Sequence, residues 1–254
     1  MGRTRAPRLW SALAAVLAGA PLVVLPLRAV ADVWRAPAVV PQELGTRGLA
    51  TLASPGTRAG EAVATSLAVA AAATLLAVLL GWPAARALRD APRRRRLVLL
   101  GLLGLPLLVP PFAVGSGLAV WFLQLGLADT ALGLVAGHLV YVLPYVVLLL
   151  AAAFGSEVRK LEEVASTLGA GRTARLRFVT VPAAARPLSV AALLGFLVSW
   201  SDYGTSLAVG GGRLMLPLVL LPFVGRDPQV ASTIALVFLV PPVVALLALR
   251  RVWR

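Results

Sequence analysis

Six stretches of this 254-residue chain are long and apolar, and almost all of its charge is confined to the gaps between them. Leu9 to Leu27, Ala62 to Ala85, Leu97 to Ala128, Thr130 to Ser156 and Ala231 to Leu249 carry no charge, and Pro187 to Gly212 is interrupted only by Asp202. A helix crossing roughly 30 Å of hydrocarbon needs about 20 such residues. The pattern therefore predicts an all-α, polytopic membrane helix bundle forming a single transmembrane domain, with spans near 9–30, 62–85, 97–124, 131–154, 187–209 and 231–249. Leu214 to Val224 is apolar too, but its eleven residues reach only about 16 Å as helix. With Pro217 and Pro222 inside, it reads as a re-entrant or surface element.

Composition narrows the classes further. Apolar residues make up 59% of the chain and charged residues 13%, too few polar groups to cover a soluble core. The absence of cysteine rules out a disulfide scaffold and a thiolate metal site. A net charge of +14 would suit a nucleic-acid partner only if the basic residues shared a face with aromatics, whereas they occur here in short runs between spans. Their placement is a topology signal. With the N-terminus inside, 18 Lys and Arg fall on the cytoplasmic side and 6 on the other, which predicts a multi-pass membrane protein with both termini cytoplasmic.

The start of the chain also resembles a signal peptide, because basic residues precede an apolar run and Ala29-Val30-Ala31 follows it. The run of about nineteen residues exceeds the usual 7–15 of a signal core, so an uncleaved first span is expected. Prolines recur inside the spans, at Pro106, Pro110, Pro111, Pro144, Pro241 and Pro242. Each removes a backbone donor and bends its helix, as suits either a kinked packing helix or a protein with a pathway through it. There is no internal repeat and no soluble domain.

No catalytic constellation is legible. The phosphate loop G-x-x-x-x-G-K-[ST] is absent, Lys160 being the only lysine, so the chain is expected to have no ATPase site, no catalytic residues and no bound cofactor or metal. His138 is the only histidine. Paired with Ser116 of Gly115-Ser116-Gly117 it would make an intramembrane serine protease, a remote alternative, since the serine lacks a nucleophile turn and such small residues ordinarily serve close helix packing.

The loop between the fourth and fifth spans, 157–186, holds more information. Val158, Leu161, Val164 or Ala165, and Leu168 recur at helical spacing, and Arg159, Lys160, Glu162 and Glu163 point elsewhere. Gly169 follows as a natural stop, and a second short helix from Thr173 to Thr180 is expected to end at Pro182. Composition alone leaves open an amphipathic loop resting on lipid headgroups.

Glu163-Val164-Ala165, three residues, Gly169, nine residues and Val179-Thr180-Val181-Pro182 resemble the signature loop of the membrane permeases of binding-protein-dependent ABC importers, E-A-A, three residues, G, nine residues, I-x-L-P. Ala128-Asp129-Thr130, Gly133-Leu134, Gly137-His138 and Leu143-Pro144-Tyr145-Val146 are similar to the polyamine, thiamine and ferric-iron branch of that family. The resemblance implies a subunit that forms half of a translocation pathway and pairs with itself or a similar permease. Two copies of a cytoplasmic ATPase subunit would use ATP on its behalf, and an extracytoplasmic solute-binding protein would deliver the solute. It further implies that Glu162 and Glu163 offer charge to the ATPase, that Ala165 and Leu168 fill its groove, and that Gly169 and Pro182 shape the loop.

Asp202 is the remaining singular residue. With Tyr203, Thr205 and Ser206 it forms a polar island in a predicted span, which could line the pathway and favour a cationic solute or be a buried carboxylate held by hydroxyls. Polyamine, thiamine, ferric iron, phosphonate and inorganic oxyanions all remain open as solutes, and a self-sufficient secondary transporter or channel is the alternative function. Contacts with nucleic acid are not expected; contacts of the basic runs with membrane lipids are.

Overall fold

The computed structural model describes residues 6–154 and 156–253, so the topology charges at Arg3, Arg5 and Arg254 lie outside the described residues. Helix dominates, as a chain without water around its middle requires, because a helix satisfies its backbone polar groups internally. The helices are α1 (Ala6–Ala29), α2 (Arg47–Ala53), α3 (Ala59–Asp90), α4 (Arg93–Gly104), α5 (Pro111–Gln124), α6 (Ala131–Ala153), α7 (Ser156–Thr167), α8 (Arg172–Arg175), α9 (Val181–Trp200), α10 (Gly204–Val209), α11 (Leu216–Leu220) and α12 (Pro228–Trp253). Strands β1 (Ala31–Val33) and β2 (Glu43–Leu44) pair antiparallel.

Among the described residues, four helical segments are long and apolar enough to cross a membrane: Ala59–Asp90, Ala131–Ala153, Arg172–Trp200 and Pro228–Arg250. The expected single span at 97–124 is instead two helices, Arg93–Leu108 and Pro111–Gln124, bent by 100°. Pro110 and Pro111 explain the correction: the first forces an extended residue before it, and Val109 is extended at φ −111 and ψ 138. Counted as one crossing, the pair makes five. The 24-residue α1 lies where the first span was expected, with Gly19–Ala29 as its described apolar part.

The fifth expected span also differs from its reading. It begins well before residue 187, at Arg172, and ends at Trp200 rather than 209. Pro182 does not close a separate helix. A π-helical turn, Leu176–Thr180, carries the chain from α8 straight into α9, and Pro182 sits in the first turn of α9. Proline has no N–H to give a carbonyl one turn back, and the wider π-helical turn, closed by the Val181 N–H on the Leu176 carbonyl, lets the helix run on through it.

The chain divides into two compact units, one made of the residues up to Glu61 with Val219–Pro241, the other of Ala62–Leu218 with the segment from Pro242. In the first, Arg47 grips both carboxylate oxygens of Asp227, which also accepts from the backbone N–H of Val230 at 3.2 Å and so caps the start of α12. The bond from Arg47 is the main cause that holds the Asp227 carboxyl below its ordinary range.

In the second unit, the core is a seam of small against branched residues. Ala73, Ala77 and Ala85 of α3 meet Val142, Val146 and Leu150 of α6 and Ala191 of α9, and Trp82 meets Phe154 edge-on with ring centroids 4.8 Å apart. Leu75, Leu79 and Leu80 on the same α3 are left exposed, as a lipid-facing surface would be. Helix α10 packs as closely against α5: a Cβ added at Gly115 would stand 2.8 Å from the Cβ of Ala208 and 3.1 Å from the Cα of Thr205, while one at Gly117 would meet nothing within 4 Å. Gly115→Val should therefore lower the amount of folded protein in membranes through overpacking of about 1–3 kcal/mol, and Gly117→Val should leave it near wild type. Immunoblots of solubilised membranes after a temperature ramp measure both.

Candidate functional site

Helix α7 has two unlike faces. Val158 is buried in the core seam with Ala85, Phe154 and Ala184, and Glu162, one turn further along, is buried beside it at 9% exposure. Leu161, Val164 and Leu168 are exposed at 51%, 57% and 81%. The apolar spacing read from the sequence thus belongs mostly to the open face, and only Val158 of that set points inward. Ala165 is half-buried. Glu163 is exposed and bonds Arg159 at 2.9 Å, an i, i+4 pair of the kind that supports a surface helix by a few tenths of a kcal/mol, roughly 0.3–0.5.

Glu162 does not present its charge outward, which corrects the reading that placed it beside Glu163 as an offered carboxylate. Its oxygens are taken up by three donors: Arg86 at 3.0 Å, Arg89 at 3.1 Å and the Thr180 hydroxyl at 2.7 Å. Arg86 and Arg89 sit in the final turns of α3, and Thr180 ends the π-helical turn before α9. One carboxylate therefore joins α3, α7 and the start of the fifth span. Burial alone would push this carboxyl up, but the Thr180 hydroxyl and the two guanidiniums outweigh it and hold Glu162 below the ordinary carboxylate range.

The turn after α7 follows from one glycine. Gly169 has φ +82, its N–H bonds the Ser166 carbonyl at 3.0 Å, and the Ala170 N–H bonds the Ala165 carbonyl at 3.0 Å. This is the paired closure that turns a chain sharply off a helix, and it needs a residue free to enter the left-handed region. Pro182, the last residue of the signature, is exposed on α9.

The second polar centre lies where α9 breaks into α10. Asp202 is in the break itself, not within a continuous helix as expected. Its Oδ1 accepts from the Thr205 N–H at 3.0 Å, which caps α10, while Oδ2 has no hydrogen-bond partner. His138 Nδ1 lies 2.8 Å from Ser199 Oγ and Nε2 lies 3.0 Å from Ser206 Oγ. Ser206 spends its only hydroxyl hydrogen on the Asp202 carbonyl at 2.7 Å. Donor counting then makes Nε2 the protonated nitrogen and Nδ1 the acceptor of the Ser199 hydroxyl, a chain that ties α6, α9 and α10.

A cavity of about 530 Å³ opens beside this cluster, lined among others by Val109, Phe112, Tyr141, Tyr145, Asp202 and Tyr203. Asp202 and Tyr203 line it; Thr205 and Ser206, grouped with them in the sequence, are buried in helix packing instead. Tyr141 donates to the Val109 carbonyl at 2.9 Å, answering a backbone group freed at the proline break. Ser116 donates to the Phe112 carbonyl of its own helix at 2.8 Å, and both nitrogens of His138 are engaged elsewhere, so the protease pair does not form. Among the described residues no three His, Asp or Glu side chains converge as a metal site would need. Sequence reasoning missed Arg86, Arg89 and Thr180, since the two arginines read only as topology charge, and it missed Ser199.

The family model described as "Binding-protein-dependent transport system inner membrane component" matches residues 62–252. The chain belongs to that family. The permease is 32% identical over 211 residues to the inner membrane ABC transporter permease protein YnjC of Escherichia coli (strain K12), covering 81% of the chain and 40% of the relative. It is 33% identical to the molybdenum transport system permease protein ModB of Mycobacterium bovis (strain ATCC BAA-935 / AF2122/97), covering 69% and 72%, and 33% identical to the thiamine transport system permease protein ThiP of Brucella abortus (strain 2308), covering 65% and 31%. The permease thus spans less than half the length of YnjC and of ThiP. Its fold is that of a chain in the crystal structure of a bacterial ABC transporter involved in the import of the acidic polysaccharide alginate, with a TM-score of 0.71, 99% of each chain covered and 18% identity.

The clamp on Glu162 makes a pH-dependent prediction. A carboxyl held below its unfolded-state pKa contributes stability that is present above the unfolded value and lost as pH falls through the folded one. Glu162→Gln should therefore loosen α7 at neutral pH, with a loss of about 1–3 kcal/mol, and should flatten the decline that the wild type shows in acid. Hydrogen exchange across 158–168 as a function of pH checks both parts.

Proposed function

We propose that this permease supplies half of the solute pathway of an ATP-driven importer and receives its drive through α7. The supporting observation is the division of that helix: Val158 and Glu162 fasten one face to the membrane bundle, and Leu161, Val164 and Leu168 leave the other free to enter a groove on an ATPase subunit. Force applied to the free face is then carried to α3 by Arg86 and Arg89 and to the fifth span by Thr180, because a rigid helix with fixed partners displaces the elements it is fastened to. Of the residues named for coupling, Glu163, Ala165 and Leu168 belong to the docking face, Gly169 to the turn, and Glu162 to the fastening.

The assembly fitting this reading has two permeases, alike or similar, two ATPase copies and a solute-binding protein on the outer loops, 32–61 and 210–229. The 18 to 6 division of basic residues supports a cytoplasmic side for α7 and both termini. The chain itself would bind neither ATP nor another cofactor.

Gly169→Val, which forces a β-branched residue to φ +82, together with Glu163→Lys on the docking face, should leave the permease in the membrane yet abolish ATPase co-purification and ATP-driven uptake. Undiminished uptake would overturn the coupling reading.

Asp202, Tyr141, Tyr145 and Tyr203 line the cavity, and this acidic, aromatic lining favours a solute that carries positive charge. Asp202→Asn keeps the capping oxygen for Thr205 and removes the charge, so membrane abundance should hold while uptake of a cationic solute falls. Uptake per assembled complex equal to wild type would return Asp202 to a purely capping role.

A further inference from the structure

Next to the Glu162 clamp lies a second cavity, of about 490 Å³, lined by Arg86, Arg89, Arg172, Arg175, Glu162, Leu176 and Thr180. Four arginines face it against one carboxylate. That carboxylate is fully committed, its oxygens already held by Arg86, Arg89 and Thr180, and Arg89 shares itself further with Asp90. Arg172 and Arg175 have no acidic partner among the described residues. Neighbouring guanidiniums around a common space repel one another, and an anion between them removes that cost while accepting paired N–H donors from more than one arginine.

The position of the cavity selects the anion. It is formed where two candidate spans end, the last turns of Ala59–Asp90 and the first of Arg172–Trp200, which is the headgroup level of a bilayer. Leu176 lines the cavity at 40% exposure and gives the arginine cluster an apolar edge beside which an acyl chain can lie. We propose that this cavity is a phosphate-binding site occupied by the headgroup of an anionic phospholipid, with Arg172 and Arg175 as its principal ligands. A lipid phosphate held there lies beside Arg86 and Arg89, which hold Glu162, and so next to the attachment of α7.

The chemistry is that of a phosphate group, and the test separates a lipid from a soluble source. Full-length permease is reconstituted with phosphatidylcholine alone or with added phosphatidylglycerol, and lipid retained after solubilisation is read by native mass spectrometry, with and without inorganic phosphate. The wild type should retain phosphatidylglycerol over phosphatidylcholine, and Arg172→Gln with Arg175→Gln should reduce that preference at least about tenfold, or about 1.4 kcal/mol. Arg172→Lys with Arg175→Lys, which keeps the charge, should restore most of it. Should the double Gln variant not fold, Arg172→Gln alone, at an exposed position, serves in its place. Displacement of the lipid by inorganic phosphate, sensitive to the same substitutions, would keep the site and assign it to a soluble anion. Equal retention of both lipids by the wild type, or retention that is indifferent to both arginines with no effect of phosphate, would overturn the proposal.

Discussion

A buried carboxylate is tolerable only with its oxygens occupied, and the arrangement of Glu162 shows what that requirement does to a fold. Arg86, Arg89 and Thr180 come from two different spans, and α7 cannot move away from them without leaving a charge stranded in a place that water reaches poorly. Val158 adds an apolar anchor one turn earlier on the same face. The two contacts fix both the position and the rotation of α7, and so decide which of its residues remain outside. The docking face is the remainder after the clamp has been made.

The same logic of satisfying polar groups organises the interior. At the proline break between α4 and α5 a freed carbonyl, that of Val109, is met by the hydroxyl of Tyr141. At the break between α9 and α10 Asp202 caps the new helix with one oxygen, and His138 links the hydroxyls of Ser199 and Ser206. Each interruption of a helix is thus paired with a side chain that repairs it, and both interruptions border the cavity holding Tyr141, Asp202 and Tyr203. Irregular backbone at membrane depth is stable only where protein or a watery space surrounds it, so breaks and cavity are found together for one reason.

Much of this was legible in the sequence. Uncharged length gave the helical bundle, and the reading of Gly169 as a helix stop holds in its positive φ and in the bonds that close the turn. The bend within 97–124 is invisible to composition, because apolar residues do not distinguish a straight crossing from one bent at Pro110-Pro111. In sequence Pro182 looks like a helix stop, and the π-helical turn that carries the chain through it leaves no mark there. Glu162 and Glu163 look alike in sequence, because adjacent acidic residues on a short helix differ only once its rotation is known. The partners of Glu162 lie 73 and 76 positions earlier and 18 later, separations that no local pattern reports.

The central claim is that α7 is carried as one body with the end of α3. The absence of cysteine allows a clean pair of spin labels, one at Lys160 on α7 and one at Ala91 just beyond α3. In the permease–ATPase complex the distance between them should be the same with and without bound ATP in the wild type, and should broaden on ATP binding in Glu162→Gln. A distance that changes on ATP binding in the wild type would show that α7 moves independently of α3, and would contradict the account.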